Sequence, residues 1–206
     1  MARMKLYYSP SSPYARKVRV LAIEARLDKK IEMVNVALTP VAPNADVDKH
    51  NPIGKIPALS IKGLDLFDSP VICEYLDSQN KGRKLFPRKG RGRWVALRQQ
   101  AMADGLLDAA LLARYEGALR PEEKRWSEWS AGQMKKINGV LGQLEAEAKS
   151  LKGKLTIGTV SVACALGYLD LRFADMGWRD KYPKLGKWFA AVSKLPSLKA
   201  TAPPPA

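Results

Sequence analysis

Ser12 and Ser69 are each followed by proline, Pro13 and Pro70, at points where an apolar helical pattern begins. Serine is a favoured N-cap and proline suits the first helical position, so each pair reads as a helix start. A helix N-terminus presents N–H groups with no intrahelical acceptor and a partial positive charge, which suits an anion. Two such ends in one small domain would suit a ligand with two separated negative groups, although each also reads as an ordinary cap. Between them lies Asn51-Pro52-Ile53-Gly54-Lys55-Ile56-Pro57. A proline between a turn and a strand is a candidate for a cis bond. A cis bond would turn the Ile56 backbone groups outward, where an extended peptide could pair with them. A trans loop proline fits the same residues. Cys73, Cys164 and the single His50 have no metal-ligand spacing. The cysteines, in apolar segments, are expected to be buried, reduced thiols, and no metal is expected.

The elements that would position these residues follow from hydrophobic period. Residues 4–8, 32–36, 58–61 and 64–67 read as strands, the last two joined at Lys62-Gly63 as a hairpin. Helices are expected after Ser12 and with Ser69 as N-cap. In the first, Val18, Leu21, Ala22 and Ala25 form the apolar face and Arg16, Lys17, Arg19 and Arg26 lie largely elsewhere. The polar, basic segment 81–92 reads as a linker between a domain over 1–80 and an all-helical domain over 93–206. There, Leu97, Ala101, Asp104, Asp108, Leu111 and Tyr115 share one helical stripe. Residues 160–169 carry no charge and suit a buried helix, and 185–192 an amphipathic one.

The chain has 206 residues, 46% of them apolar and 27% charged, and a formal net charge of +15. This is a globular composition with an excess that attracts anions. The basic residues are spread out, without the unbroken block of a nucleic-acid tail, and no basic–aromatic platform accompanies them. Nucleic acid is therefore an unlikely partner. No apolar run of about 18 residues suggests a membrane span, and the start does not read as a signal peptide. A cytoplasmic location is expected.

Taken together, Ser12-Pro13-Tyr14-Ala15-Arg16-Lys17-Val18, residues 51–59 and Phe67-Asp68-Ser69-Pro70-Val71-Ile72 resemble, in order and spacing, three motifs of the cytosolic glutathione S-transferases. Ala103-Asp104-Gly105-Leu106-Leu107-Asp108 resembles the first helix of that family's second domain. Residues 163–169 and the closing Thr201-Ala202-Pro203-Pro204 look like its bacterial YibF-like subgroup. The resemblance implies a thioredoxin-like α/β N-terminal domain, an all-α C-terminal helical bundle and a homodimer. It implies glutathione as co-substrate and a small electrophile as its partner.

By the same resemblance, Asp68 and Ser69 would bind the γ-glutamyl end, and Ile56, before cis-Pro57, the cysteinyl backbone. Lys55 would lie near the glycyl carboxylate. Ser12 would donate to the sulfur and favour the nucleophilic thiolate, with Ser11 and Ser9 as rivals and Ser11 a further glutathione contact. Serine in that place, with no protein sulfur, argues against thiol–disulfide exchange. Conjugation, isomerisation or peroxide reduction stays open. Asp104, Asp108 and Tyr115, with Trp178 as a further candidate, would line the cleft for the second substrate. The acidic partner usual in the family's helix cap is missing, because Thr156 is followed by Thr159. The alternative reading is a non-catalytic protein on the same fold that docks an acidic partner.

Overall fold

The computed structural model describes residues 4–205, which divide into two compact units. The first runs to Trp94 and takes back the segment Pro196–Pro204; the second is Val95–Leu195.

In the first unit, β1 (Met4–Tyr8), β2 (Ile31–Asn35), β3 (Ala58–Ile61) and β4 (Leu64–Leu66) form one sheet in the order β2-β1-β3-β4. β1 runs parallel to β2 and antiparallel to β3, and β4 is antiparallel to β3. Period-two alternation gives the sheet two buried faces. On one, Tyr7 and Ala58 pair across strands and meet Val47 of the short α2 (Ala45–Asp48). On the other, Leu6 and Leu59 pair and are fully buried. Also fully buried are Val18 and Leu21 of α1 (Pro13–Glu24) and Ile72 and Leu76 of α3 (Ser69–Gln79), two helices that pack together.

Arg16 and Lys17 depart from the amphipathic reading of α1, since both are buried. The reason is long-range. The last helix, α9 (Pro196–Ala200), returns to pack on α1. Arg16 Nη2 donates to the Leu198 carbonyl at 3.1 Å, and Ser197 Oγ donates to Glu24 at 2.6 Å. The expected span of 93–206 therefore ends differently, because its tail belongs to the first unit. The linker reading also meets α4 (Arg91–Ala118) two residues early.

The second unit is helical: most of α4, then α5 (Ser127–Ala146), α6 (Ile157–Arg172), α7 (Trp178–Lys181) and α8 (Pro183–Val192). The stripe of α4 that is buried is Ala96, Gln99, Ala103, Leu106, Leu107 and Ala110. The stripe read from the sequence lies beside it: Leu97, Asp104, Leu111 and Tyr115 are half-buried, and Ala101 and Asp108 are exposed. Alanine and glutamine carry little periodic signal, so the sequence does not mark that face as the buried one.

Every residue of α6 from Ile157 to Leu169 is buried. No single described helix is long and apolar enough to cross a membrane. The cap of α6 corrects the sequence reading. Thr156 Oγ1 accepts from the Thr159 amide at 3.3 Å, and Thr159 Oγ1 accepts from the Thr156 amide at 2.9 Å. A hydroxyl fills the acid's place because the reciprocal box needs only an acceptor there. Gly158 lies against the backbone of α4; a Cβ on it would stand 2.5 Å from the Ala96 carbonyl oxygen. Trp178 is a core residue, 2% exposed, with its Nε1 donating to Asp170 and its ring tilted against Phe189.

Candidate functional site

Ser12 stands at the N-cap of α1 with extended backbone, and Pro13 is the first helical residue. Its Oγ accepts from the Ala15 amide at 3.2 Å, so its own proton remains to be donated outward. Ser9 and Ser11 are placed differently. Their hydroxyls lie 3.2 Å apart and hydrogen-bond to one another, while the Ser12 amide closes the turn onto the Ser9 carbonyl. Of the three serines, Ser12 alone combines a helix tip with an uncommitted hydroxyl proton.

The second helix start is shifted by one residue from the sequence reading. Asp68 is the N-cap of α3, extended at φ −90° and ψ −164°, and Ser69 and Pro70 are its first two helical residues. The Asp68 carboxylate makes no capping hydrogen bond and is exposed, whereas Ser69 is buried. Proline is tolerated at the second position for the same reason as at the first, because first-turn amides have no intrahelical acceptor. The Ser69 and Val71 amides are therefore left at this tip.

The Ile56–Pro57 bond is cis, as the turn-before-strand pattern suggested. Pro57 is buried, Ile56 half-buried and Lys55 exposed. The loop is braced by Asn51, which sequence reasoning passed over. Asn51 is 2% exposed; its Nδ2 donates to the Lys55 carbonyl at 2.7 Å and its Oδ1 accepts from the Ile53 amide at 3.0 Å. The available signal was an asparagine opening a Pro-Gly turn, where its side chain can bond the backbone two residues on. His50 stacks on Tyr7 and pairs with Asp65 at 3.0 Å, outside this group.

The basic stretch around residue 84 is used partly within the fold. Lys84 Nζ donates to the carbonyls of Asp77, Ser78 and Asn80 at the end of α3, where a cation complements the helix dipole. The Asp77 carboxylate accepts from the Leu85 and Phe86 amides. Arg93 pairs with Glu74 at 3.1 Å. Lys81, Arg88, Lys89 and Arg91 are exposed.

In the second unit, Asp104 and Asp108 stand one turn apart on α4, and both have interaction partners. Tyr115 is half-buried. Burial pushes its phenol upward, with Arg114 opposing. Tyr168 of α6, not singled out from the sequence, is pushed up to about 12 by burial, against the pull of Arg114 and Arg172. Both phenols are therefore neutral hydrogen-bond donors at ordinary pH. Cys73 and Cys164 are buried and not disulfide-bonded. Among the described residues no group of His, Cys, Asp and Glu could hold a metal ion.

The geometry can be set beside known proteins. A family model described as the glutathione S-transferase N-terminal domain matches residues 11–79, and one described as the C-terminal domain matches 127–191. The chain is 32% identical over 207 residues to the uncharacterized GST-like protein YibF of Escherichia coli (strain K12), covering 98% of this chain and 100% of that one. It is similar to the crystal structure of a glutathione transferase family member from Pseudomonas fluorescens Pf-5 with bound glutathione. The identity is 47% and the TM-score 0.96, over 98% of this chain and 99% of that one. A second crystal structure from Pseudomonas fluorescens Pf-5, with bound S-(propanoic acid)-glutathione, is 46% identical with a TM-score of 0.91 over 98% and 100% of the two chains. A glutathione S-transferase from Methylobacillus flagellatus KT with glutathione bound is 40% identical, with a TM-score of 0.89 over 98% and 100%.

Proposed function

Because the chain belongs to the glutathione S-transferase family, we propose that it binds glutathione in its first unit, activates the thiol at Ser12 and adds the sulfur to a small electrophile. The observation that carries this reading is the pairing of Ser12 with the tip of α1, where the hydroxyl accepts from Ala15 and keeps its proton. A thiolate facing that tip gains a hydrogen bond to a charged acceptor and the positive end of a helix. Each unit by which the thiol pKa falls corresponds to about 1.4 kcal/mol of preference for thiolate.

The remaining groups suit the other ends of the tripeptide. The γ-glutamyl carboxylate takes the amides and hydroxyl at the α3 tip, and Asp68 meets the ammonium. The Ile56 backbone pairs with the cysteinyl unit, and Lys55 lies near the glycyl carboxylate. Tyr115, with Asp104 and Asp108, belongs in this reading to the second-substrate surface. S-(propanoic acid)-glutathione, held by the Pseudomonas relative, is a thioether of glutathione with a three-carbon acid, and addition of glutathione to acrylic acid gives a compound of that kind. The sulfur–carbon bond forms as the carbon–carbon double bond takes up the thiol proton. Unsaturated carboxylates therefore head the panel of electrophiles to test. A cytoplasmic homodimer is part of the same reading.

Glutathione-affinity retention tests the proposal, with Ser69→Ala as control. Retention that falls with Ser69→Ala supports it. No retention, and no thermal shift at millimolar glutathione, overturns it in favour of a non-catalytic protein docking an acidic partner. The exposed Lys81, Arg88, Lys89 and Arg91 and the +15 charge favour that second reading.

A further inference from the structure

We propose that the C-terminal segment Pro196–Pro204 is a latch on Arg16 that positions the thiol-facing end of α1, so that residues at the far end of the chain help hold the glutathione sulfur as thiolate. The inference rests on the glutathione reading above and adds a positioning residue to it.

Ser12, Arg16, Val20 and Glu24 are spaced four apart and lie along one side of α1. The tail binds this side at two points. Arg16 Nη2 donates to the Leu198 carbonyl at 3.1 Å, one turn after Ser12. Ser197 Oγ donates to Glu24 at 2.6 Å, two turns further on. Ser197 and Leu198 are 1% exposed and Thr201 is fully buried. Thr201 Oγ1 donates back to the Ser197 carbonyl at 2.8 Å, closing the short helix on itself. This segment is fastened as core residues are.

The chemistry of Arg16 is what separates a latch from ordinary packing. A guanidinium keeps its charge in proteins. Arg16 is only 6% exposed, its Nε is buried without a hydrogen-bond partner, and among the described residues no carboxylate pairs with it. Burying a cation without a counter-charge is costly. Arg16 stands on the helix one turn beyond Ser12, about 6 Å of axial rise between their backbones, and its charge adds to the positive potential that the helix tip presents to an anion. A thiolate at the tip would offset part of the cost of its burial. The other charged groups on the packed pair, Lys17, Arg19 and Glu24 of α1 and Lys199 of α9, are common to the point variants below, and the chain ending at Leu195 loses Lys199 together with the rest of α9.

The test is the ultraviolet titration of bound glutathione thiolate in the full chain, in Arg16→Met, in Arg16→Lys, in Ser197→Ala and in a chain ending at Leu195. Arg16→Met is expected to raise the titration midpoint by about half to one pH unit and, at pH below that midpoint, to change the glutathione Kd by less than about threefold. Arg16→Lys should recover most of that shift. The shortened chain should reproduce the Arg16→Met shift although its arginine is intact. If shortening prevents folding, as circular dichroism would reveal, Ser197→Ala takes its place with a smaller shift of the same sign. A role in packing alone would lower Tm and leave the midpoint where it was; that result overturns the latch. If the unaltered protein holds a bound thiolate and the Arg16 and tail variants leave its midpoint unchanged, the latch falls and the glutathione reading stands. If the unaltered protein shows no bound thiolate at all, both fall.

Discussion

Ser12 Oγ lies 3.2 Å from the amide nitrogen of Ala15 and accepts its hydrogen bond. The same hydroxyl cannot donate in that contact, so the capping role and the proposed thiol-facing role use different parts of one group. Removing it should have two separable effects. Ser12→Ala is expected to lower stability by about 1 kcal/mol through the lost cap. It should also raise the midpoint of the bound thiolate by about one unit, with a roughly tenfold loss of kcat/KM at pH values below that midpoint. Ser12→Thr keeps both functions and should remain near the starting values. Ser11→Ala leaves the tip of α1 intact and should move the midpoint little. A titration that follows Ser11 instead of Ser12 would reassign the thiol contact.

Asn51→Ala should weaken glutathione retention without touching the ligand. The variant loses both braces of the loop and leaves the Lys55 carbonyl and the Ile53 amide without their partner. Lost hydrogen bonds at such partly buried groups cost about 0.5–1.5 kcal/mol each. A drop in Tm of several degrees is expected, with a several-fold rise in the Kd for glutathione. An unchanged Kd would mean that Lys55 and Ile56 are not held by this loop.

Gly158→Ala should be among the more damaging single-methyl changes in the second unit. The added carbon would stand 2.5 Å from the Ala96 carbonyl oxygen and 2.8 Å from Gln99 Cβ, and backbone cannot swing aside as a side-chain tip can. Overpacking of this kind costs about 1–3 kcal/mol or more. Chemical denaturation measures it. A loss below about 0.5 kcal/mol, within the range of ordinary surface changes, would show that α6 can shift away from α4.

Glu116 gives the second unit an acid-sensitive contact. The Trp126 amide at 2.9 Å, with Arg120 at 2.8 Å in support, holds its carboxyl below the ordinary range, against partial burial pushing the other way. A carboxylate with a depressed folded value contributes stability that is fully present above its unfolded value of about 4.3. That contribution is lost as pH falls through the lower folded value. Glu116→Gln should therefore lower Tm at neutral pH and narrow its difference from the parent as pH falls below about 4. A parallel offset at all pH values would rule out the titration as the cause.

The helix start at Ser12 was legible because its signals are local. A serine before a proline marks a helix start from a handful of neighbouring residues, and the structure places Ser12 there with its cap bond made. The four strands and the buried α6 likewise follow from short patterns of side-chain size and branching, whereas the sequence admitted either isomer before Pro57 and the structure has the cis one. The shift from Ser69 to Asp68 at the second cap was beyond reach, since proline satisfies either of two adjacent positions. The buried side of α4 was missed because alanine and glutamine serve core and surface alike.

Sequence alone determined the order of the four strands and the main helices, the Ser12 tip and the family, because each rests on residues close together along the chain. The tertiary structure decided the environment of charged groups. Arg16 looks like a solvated residue until α9, some 180 positions later, covers it, and Asn51 looks like a turn residue until its amide closes on Lys55. Dihedral preference and hydrophobic period act over a few residues, whereas burial and hydrogen-bond satisfaction depend on which distant segment arrives.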